Sequence, residues 1–422
     1  MSGGLDLAAI LFTLAALFGY LNHRFLGLPR SVGLVVIALG ASFGVMAVDA
    51  LVPSWGLGGL FATVINAVDF KDALMKGALS FLLFAGALHV DLADLAARKW
   101  SIATMATGGL LISTALVAFA MWWAFGALGI PVSFAYAVVF GALISPTDPV
   151  AVLGILKRVK VPPSLEAKIA GESLFNDGVG VVVFTIAVAI ATGDGAEAGP
   201  GAAIGLFLAE AVGGAVLGLA TGYIAFVAMR SIDEHNIEVV ITLALVTGTY
   251  TLAGALHLSG PIAVVVAGLL IGNQGIRLAM SETTRVHVLT FWTLIDEILN
   301  SLLFMLIGFE VLALSGTGAT LAAAAIAVPV VLVARLVSVA VPIAALGQRR
   351  SFTPGAIPTL TWGGLRGGIS VALALSLPPA PEREILLTVC YAVVIFSIVV
   401  QGLTMERLVR RVVSRADDGA PM

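Results

Sequence analysis

Runs of about twenty apolar residues recur through this chain from Leu5 to Val409, separated by short polar connections. No water-soluble fold can hide so many of them. Hydrophobic residues make up 59% of the 422 and charged residues 11%, against a usual ~45–50% and ~25%. The charged residues are too few to cover the surface of such a chain, so lipid must be the solvent for most of it. The runs are longer and more solidly apolar than the ~10-residue alternating segments of a membrane β-barrel. Helices, which satisfy their own backbone in lipid, are the expected element.

Thirteen spans are expected, at 5–22, 30–50, 73–90, 101–126, 132–156, 165–192, 201–229, 237–257, 260–276, 287–313, 319–346, 353–378 and 385–409. The first has no basic segment before it and no small-residue cleavage site, so it reads as a retained span. Lys and Arg fix the orientation. Arg24, Arg30, Arg98, Lys99, Lys157, Arg158, Lys160, Lys168, Arg230, Arg277, Arg285, Arg349, Arg350, Arg407, Arg410, Arg411 and Arg415 fall on one side, and Lys71, Lys76 and Arg383 on the other. This places the N-terminus outside and the C-terminus in the cytoplasm. The two remaining basic residues, Arg335 and Arg366, lie inside spans, where a cation costs at least ~2.5–3.5 kcal/mol and needs a partner or a task.

Two spans carry their own interruption. The fifth contains Pro146 and Pro149 around Thr147 and Asp148; the twelfth contains Gly363, Gly364, Gly367 and Gly368 around Arg366. Proline removes a backbone donor and clashes with the preceding turn, and clustered glycine weakens a helix. Simple kinking is the rival reading, but each break holds a charge. The breaks lie seven spans apart, so two halves built around them run in opposite directions through the membrane. Interrupted spans at matching positions of inverted halves point to a transporter's binding site. The expected division is a first repeat at 1–192, with its core spans at 101–192, and a linking span at 193–236. A second, inverted repeat follows at 237–411, with its core spans at 319–409, before a short cytoplasmic tail at 412–422. Where half-helices face one another, their terminal charges need compensation. Asp148 and Arg366 supply the two signs.

The sixth span reads GESLFND from Gly171 to Asp177. Ser173 and Asp177 share one helical face, and Glu172 and Asn176 the neighbouring one. Two carboxylates, an amide and a hydroxyl inside a span mark function; a polar helix–helix contact is the plainer alternative. An enclosed carboxylate can hold a proton or a metal cation, but not both, and that competition couples two fluxes.

Four motifs together, SPTDPVAV at 145–152, GESLFND at 171–177, LNSLLFMLIG at 299–308 and GGLRGGIS at 363–370, resemble the NhaP-type cation:proton antiporters, bacterial and archaeal relatives of the animal sodium/proton exchangers. The likeness covers nearly the whole chain. It implies an all-α fold of the NhaA/NhaP kind with two unwound crossing helices. It also implies a homodimer of 13-span protomers in a bacterial plasma membrane, with spans 4–6 and 11–13 moving as a core against a dimer-forming scaffold. It makes Asp177 the carboxylate that exchanges cation and proton by alternating access, and Asn176 its neutral partner. A single titrating site then implies electroneutral one-for-one exchange. Ser173 and the Thr147 carbonyl become further ligands of Na+ or K+, Asp148 a second acid near the site, and Glu172 the ion-pair partner of Arg335. Arg366 keeps its place at the crossing. Relatives carry a Glu after a Phe in the third span; here Ala85 follows Phe84. That loss gives K+ and Li+ weight beside Na+, which stays ahead.

The sequence has no G-x-x-x-x-G-K-[ST] phosphate loop and no metal-ligand spacing, and its one cysteine, Cys390, excludes internal disulfides. With a net charge of -3 it gives no sign of a nucleic-acid partner. A secondary transporter without cofactor or nucleotide is therefore expected, rather than an enzyme. A K+/H+ antiporter is the main alternative, and a cation channel the lesser one, for want of repeated filter-like segments.

Overall fold

A computed structural model describes residues 4–52, 78–148, 152, 163–193, 199–310, 317–347 and 355–418. Every regular element among them is helical. In chain order these are α1 (Gly4–Leu21), α2 (Arg30–Leu51), α3 (Leu79–Leu88), α4 (Leu92–Ala103), α5 (Leu110–Ala127), α6 (Phe134–Ile144), α7 (Pro163–Thr192) and α8 (Gly199–Arg230). Then come α9 (His235–Ala255), α10 (Gly260–Leu270), α11 (Glu282–Phe309), α12 (Gly318–Gly347), α13 (Ala356–Trp362), α14 (Gly368–Leu375), α15 (Pro381–Phe396) and α16 (Gly402–Asp418). A three-residue helix, Ile276–Leu278, and four π-helical turns lie between some of them.

Ten helical stretches among the described residues are long and apolar enough to cross a membrane, and α3 and α6 are shorter apolar helices. With the pair α13 and α14 they fall on the thirteen expected segments. Pro149, Lys71, Lys76, Lys157, Arg158, Lys160, Arg349 and Arg350 lie outside the described residues.

Observed and expected bounds differ where helix continues past the apolar run. The tenth segment begins at Glu282, and the fourth is joined to α4 through the π-helical Thr104–Gly109. Hydropathy marks the part of a helix that lipid covers; backbone bonding carries the helix into its polar ends.

The chain divides into two compact units. The first takes residues 1–71, 103–191 and 301–422. In it α5 packs on α6 and α12, and α12 on α15 and α13. Its apolar interior includes Met105, Val152, Ile169, Val339, Leu360 and Met405. The short helices α13 and α14 thus rest on neighbours that hold them in place, although neither is long enough to be stable alone.

The second unit takes residues 72–102 and 192–300. Here α8 packs closely on α10. Gly214, Gly218 and Gly222 recur every fourth residue along one face of α8, and a β-carbon on Gly218 would overlap the Ala263 carbonyl. Small residues at this spacing let two backbones approach in lipid, where van der Waals packing replaces the hydrophobic drive. Trp292 is fully buried in this unit. Its ring packs tilted against Phe84, the centroids 4.6 Å apart, and it donates its indole N–H to Thr242 Oγ1 at 2.9 Å.

Candidate functional site

The two expected breaks are found, and both lie in the first unit. Helix α6 ends at Ile144 and leaves Ser145–Asp148 non-helical; α13 ends at Trp362 and leaves 363–367 non-helical before α14 starts at Gly368. The two stretches are bonded to each other, the Asp148 N–H donating to the Leu365 carbonyl at 2.8 Å.

Unwinding frees carbonyls at the C-terminal ends of α6 and α13, and these ends carry partial negative charge. An arginine meets each of them. Arg366, 1% exposed, donates from Nη1 to the Ser145 and Pro146 carbonyls at 2.6 and 3.0 Å. Arg335 donates from Nε and Nη2 to the Leu360 carbonyl, in the last turn of α13, at 3.3 and 3.2 Å. Its remaining Nη1 pairs with Glu172 Oε1. The partnership of Glu172 with Arg335 is therefore present, and Arg335 caps a helix end as well.

Two glycines of the second break are required by this closeness. A β-carbon on Gly364 would overlap the Arg335 guanidinium, and one on Gly367 would overlap the Asp148 carboxylate. Asp148 thus stands at the N-terminal, partly positive end of α14. The two charges placed at the crossing from sequence occupy helix ends of the complementary sign.

Helix α7 supplies the acidic group. At 3.6 residues per turn, Glu172 and Asp177 are turned about 140° from each other around α7. Glu172 reaches Arg335, and Asp177 lies on a different face. Asn176 faces the first break and holds Thr147 twice. Its Nδ2 donates to Thr147 Oγ1 at 2.8 Å, and its Oδ1 accepts the Thr147 N–H at 3.4 Å. The amide thus receives a backbone donor that the broken helix leaves over. Ser173 Oγ lies 3.1 Å from the same Thr147 hydroxyl.

Asp177 is 5% exposed, and its Oδ1 is buried with no hydrogen-bond partner among the described residues. Asp148 is an acidic neighbour close enough to act on it electrostatically. A buried carboxylate oxygen without a donor is costly in its charged form unless a proton or a cation compensates it. The structure thus assembles Thr147, Asp148, Ser173, Asn176 and Asp177 in one unit, with Glu172, Arg335 and Arg366 bracing them. Ala85 is buried within α3 and brings no polar group.

The sequence reading missed three residues of this framework. Ser397 Oγ accepts the Arg366 N–H at 2.9 Å, Gln401 donates to the Trp362 carbonyl at 3.0 Å, and Ser113 bonds Ser145 at 2.9 Å. Lone serines and a glutamine in apolar spans were the available signal.

The family model for sodium/hydrogen exchanger transmembrane regions matches residues 12–411. The chain belongs to the sodium/hydrogen exchanger family. Within that family it is 49% identical over 413 residues to the Na+/H+ antiporter NhaP of Pseudomonas aeruginosa, with 97% of each chain covered. It is 35% identical over 347 residues to the Na+/H+ antiporter NhaH of Halobacillus dabanensis, covering 81% of this chain and 83% of that one. Its fold is similar to that of the sodium/proton antiporter MjNhaP1 of Methanocaldococcus jannaschii, with a TM-score of 0.69 at 18% identity, over 97% of this chain and 99% of that one.

Proposed function

We propose that this exchanger-family chain is a secondary antiporter of a bacterial plasma membrane that trades a monovalent cation, sodium first, for protons. Membership of the family and near-full-length likeness to curated Na+/H+ antiporters support the reaction class. The observation that carries the mechanism is Asp177, a buried carboxylate whose Oδ1 has no partner among the described residues, on the same helix as Ser173 and Asn176, which both bond Thr147 of the first break. In this reading Asp177 holds either a proton or the cation. Ser173 and the Thr147 carbonyl complete the cation's oxygen shell, and Asp148 adds negative charge nearby. Asn176 holds Thr147 in place and adds no second titrating group, so exchange is one-for-one and electroneutral.

Alternating access follows from charge. The bare carboxylate is too costly to carry through an apolar barrier, so only the loaded forms cross. Glu172, Arg335 and Arg366 keep the helix ends compensated meanwhile. The protomers form a homodimer, with the N-terminus outside and the C-terminus in the cytoplasm.

A second reading, K+/H+ or Li+/H+ exchange, rests on Ala85. An oxygen shell lacking that extra carboxylate discriminates less among monovalent ions.

Reconstitution into liposomes with an imposed pH gradient tests the proposal, adding Na+, Li+ or K+ with the membrane potential clamped and unclamped. Saturable dissipation of the gradient by Na+, insensitive to the clamp, is expected. Conductance without proton counterflow points instead to a channel, and a K+ preference to the second reading.

A further inference from the structure

The second break leaves a backbone group to be satisfied on each side, the Trp362 carbonyl where α13 stops and the Arg366 N–H ahead of α14. One segment meets both. The chain turns π-helical at Ser397–Gln401, a distortion that recurs at functional sites, and its two end residues face the break. Ser397 Oγ accepts the Arg366 N–H at 2.9 Å and donates to Gln401 Oε1 at 2.6 Å. Gln401 Nε2 donates to the Trp362 carbonyl at 3.0 Å. Both side chains are buried. The directions fit in only one way: turning the Gln401 amide over would set its oxygen against the Trp362 oxygen. A third tie comes from the same stretch, the Trp362 indole donating to Thr404 Oγ1 at 2.9 Å.

We propose that Ser397 and Gln401 are positioning residues for the cation site, bridging the two ends of the second break and setting where Arg366 and Leu365 meet the first. The link to the site is continuous. Leu365 accepts the Asp148 N–H, the Arg366 side chain holds Ser145 and Pro146, and Thr147 between them is bonded to Asn176 and Ser173. A break that drifts on its α15–α16 side carries Thr147 and Asp148 away from Asp177. Residues 397 and 401 are four apart and so lie on one side of the helical chain, which presents both to the break. The inference rests on the antiport reading above and deepens it.

The test is sodium-dependent proton exchange in proteoliposomes for wild type, Ser397→Ala, Ser397→Thr and Gln401→Met, at matched amounts of folded protein. Losing one hydrogen bond in such a relay is expected to raise the half-saturating sodium concentration about five- to tenfold in Ser397→Ala and Gln401→Met. The maximal rate should change less. Ser397→Thr keeps the hydroxyl and should return within about twofold of wild type. Wild-type half-saturation in Gln401→Met and Ser397→Ala, with only melting temperature lowered, overturns the proposal in favour of a purely structural role. Failure of both to fold has the same meaning. A wild-type protein that shows no cation response removes the antiport reading itself, a result separable from the behaviour of these variants.

Discussion

At the residue scale, the buried charges separate into two kinds by what surrounds them. Glu172 is paired with Arg335, which also spends two donors on the Leu360 carbonyl. Asp177 has an oxygen with no donor among the described residues. The first arrangement suits a fixed brace, the second a site whose occupant changes. Removing one member of a buried pair leaves the other uncompensated, typically at ~3–5 kcal/mol. Glu172→Gln and Arg335→Met should therefore each lower the melting temperature of the detergent-solubilised protein strongly. The double variant should lose less than the two single losses added together. Single variants that melt with wild type would remove the brace. Thr147→Val keeps the shape of the side chain but leaves Asn176 Nδ2 without its acceptor. A loss of ~1–3 kcal/mol at a buried donor predicts weaker sodium dependence of exchange, measured as half-saturation in proteoliposomes. Unchanged half-saturation would show that the Thr147 hydroxyl does not help to place the site.

At the element scale, the proposed function depends on helices that stop. Two half-helix C-termini are met by arginines and one N-terminus by Asp148, so the partial charges of broken helices do not stand uncompensated in the membrane. Closeness makes glycine necessary. Gly364→Ala and Gly367→Ala insert a methyl into space held by Arg335 and Asp148, and overpacking of this kind costs ~1–3 kcal/mol. Both variants should lose exchange and melt early, whereas Gly40→Ala, on a face of α2 with nothing within 4 Å, should do neither. Equal behaviour of all three would contradict the packing argument.

The breaks were legible in sequence because proline, glycine clusters and a lone charge in an apolar run are local signals. What held them was not. The Glu172–Arg335 pair joins positions 163 apart, and the residues alone did not dictate it; the family resemblance supplied it. Ser397 and Gln401 carry no charge, and their partners are backbone groups 31 and 39 residues away. Those groups become available only once the twelfth span has broken, so no local pattern announces the tie. The helix starts at Glu282 and Leu92 were missed for a different reason, because a polar first turn is invisible to an apolar-run criterion.

At the scale of the whole molecule, in the proposed reading most positive charge records orientation and the few charges inside the spans record chemistry. The proposed orientation makes a direct prediction. The natural thiol of Cys390 is fully buried. In a Cys390→Ala background, a cysteine placed by Arg415→Cys should react with an impermeant maleimide only after cells are opened, and labelling of intact cells would reverse the orientation. The central claim is that proton and cation share one carboxylate, and Asp177→Asn tests it most directly. The variant keeps the size and a hydrogen-bonding end of the side chain but can neither release a proton nor neutralise a cation. In proteoliposomes with an imposed pH gradient, wild type should dissipate the gradient when sodium is added. Asp177→Asn, folded and of unchanged oligomeric size, should leave the gradient standing at every sodium concentration. Exchange at the wild-type rate in that variant would contradict the account.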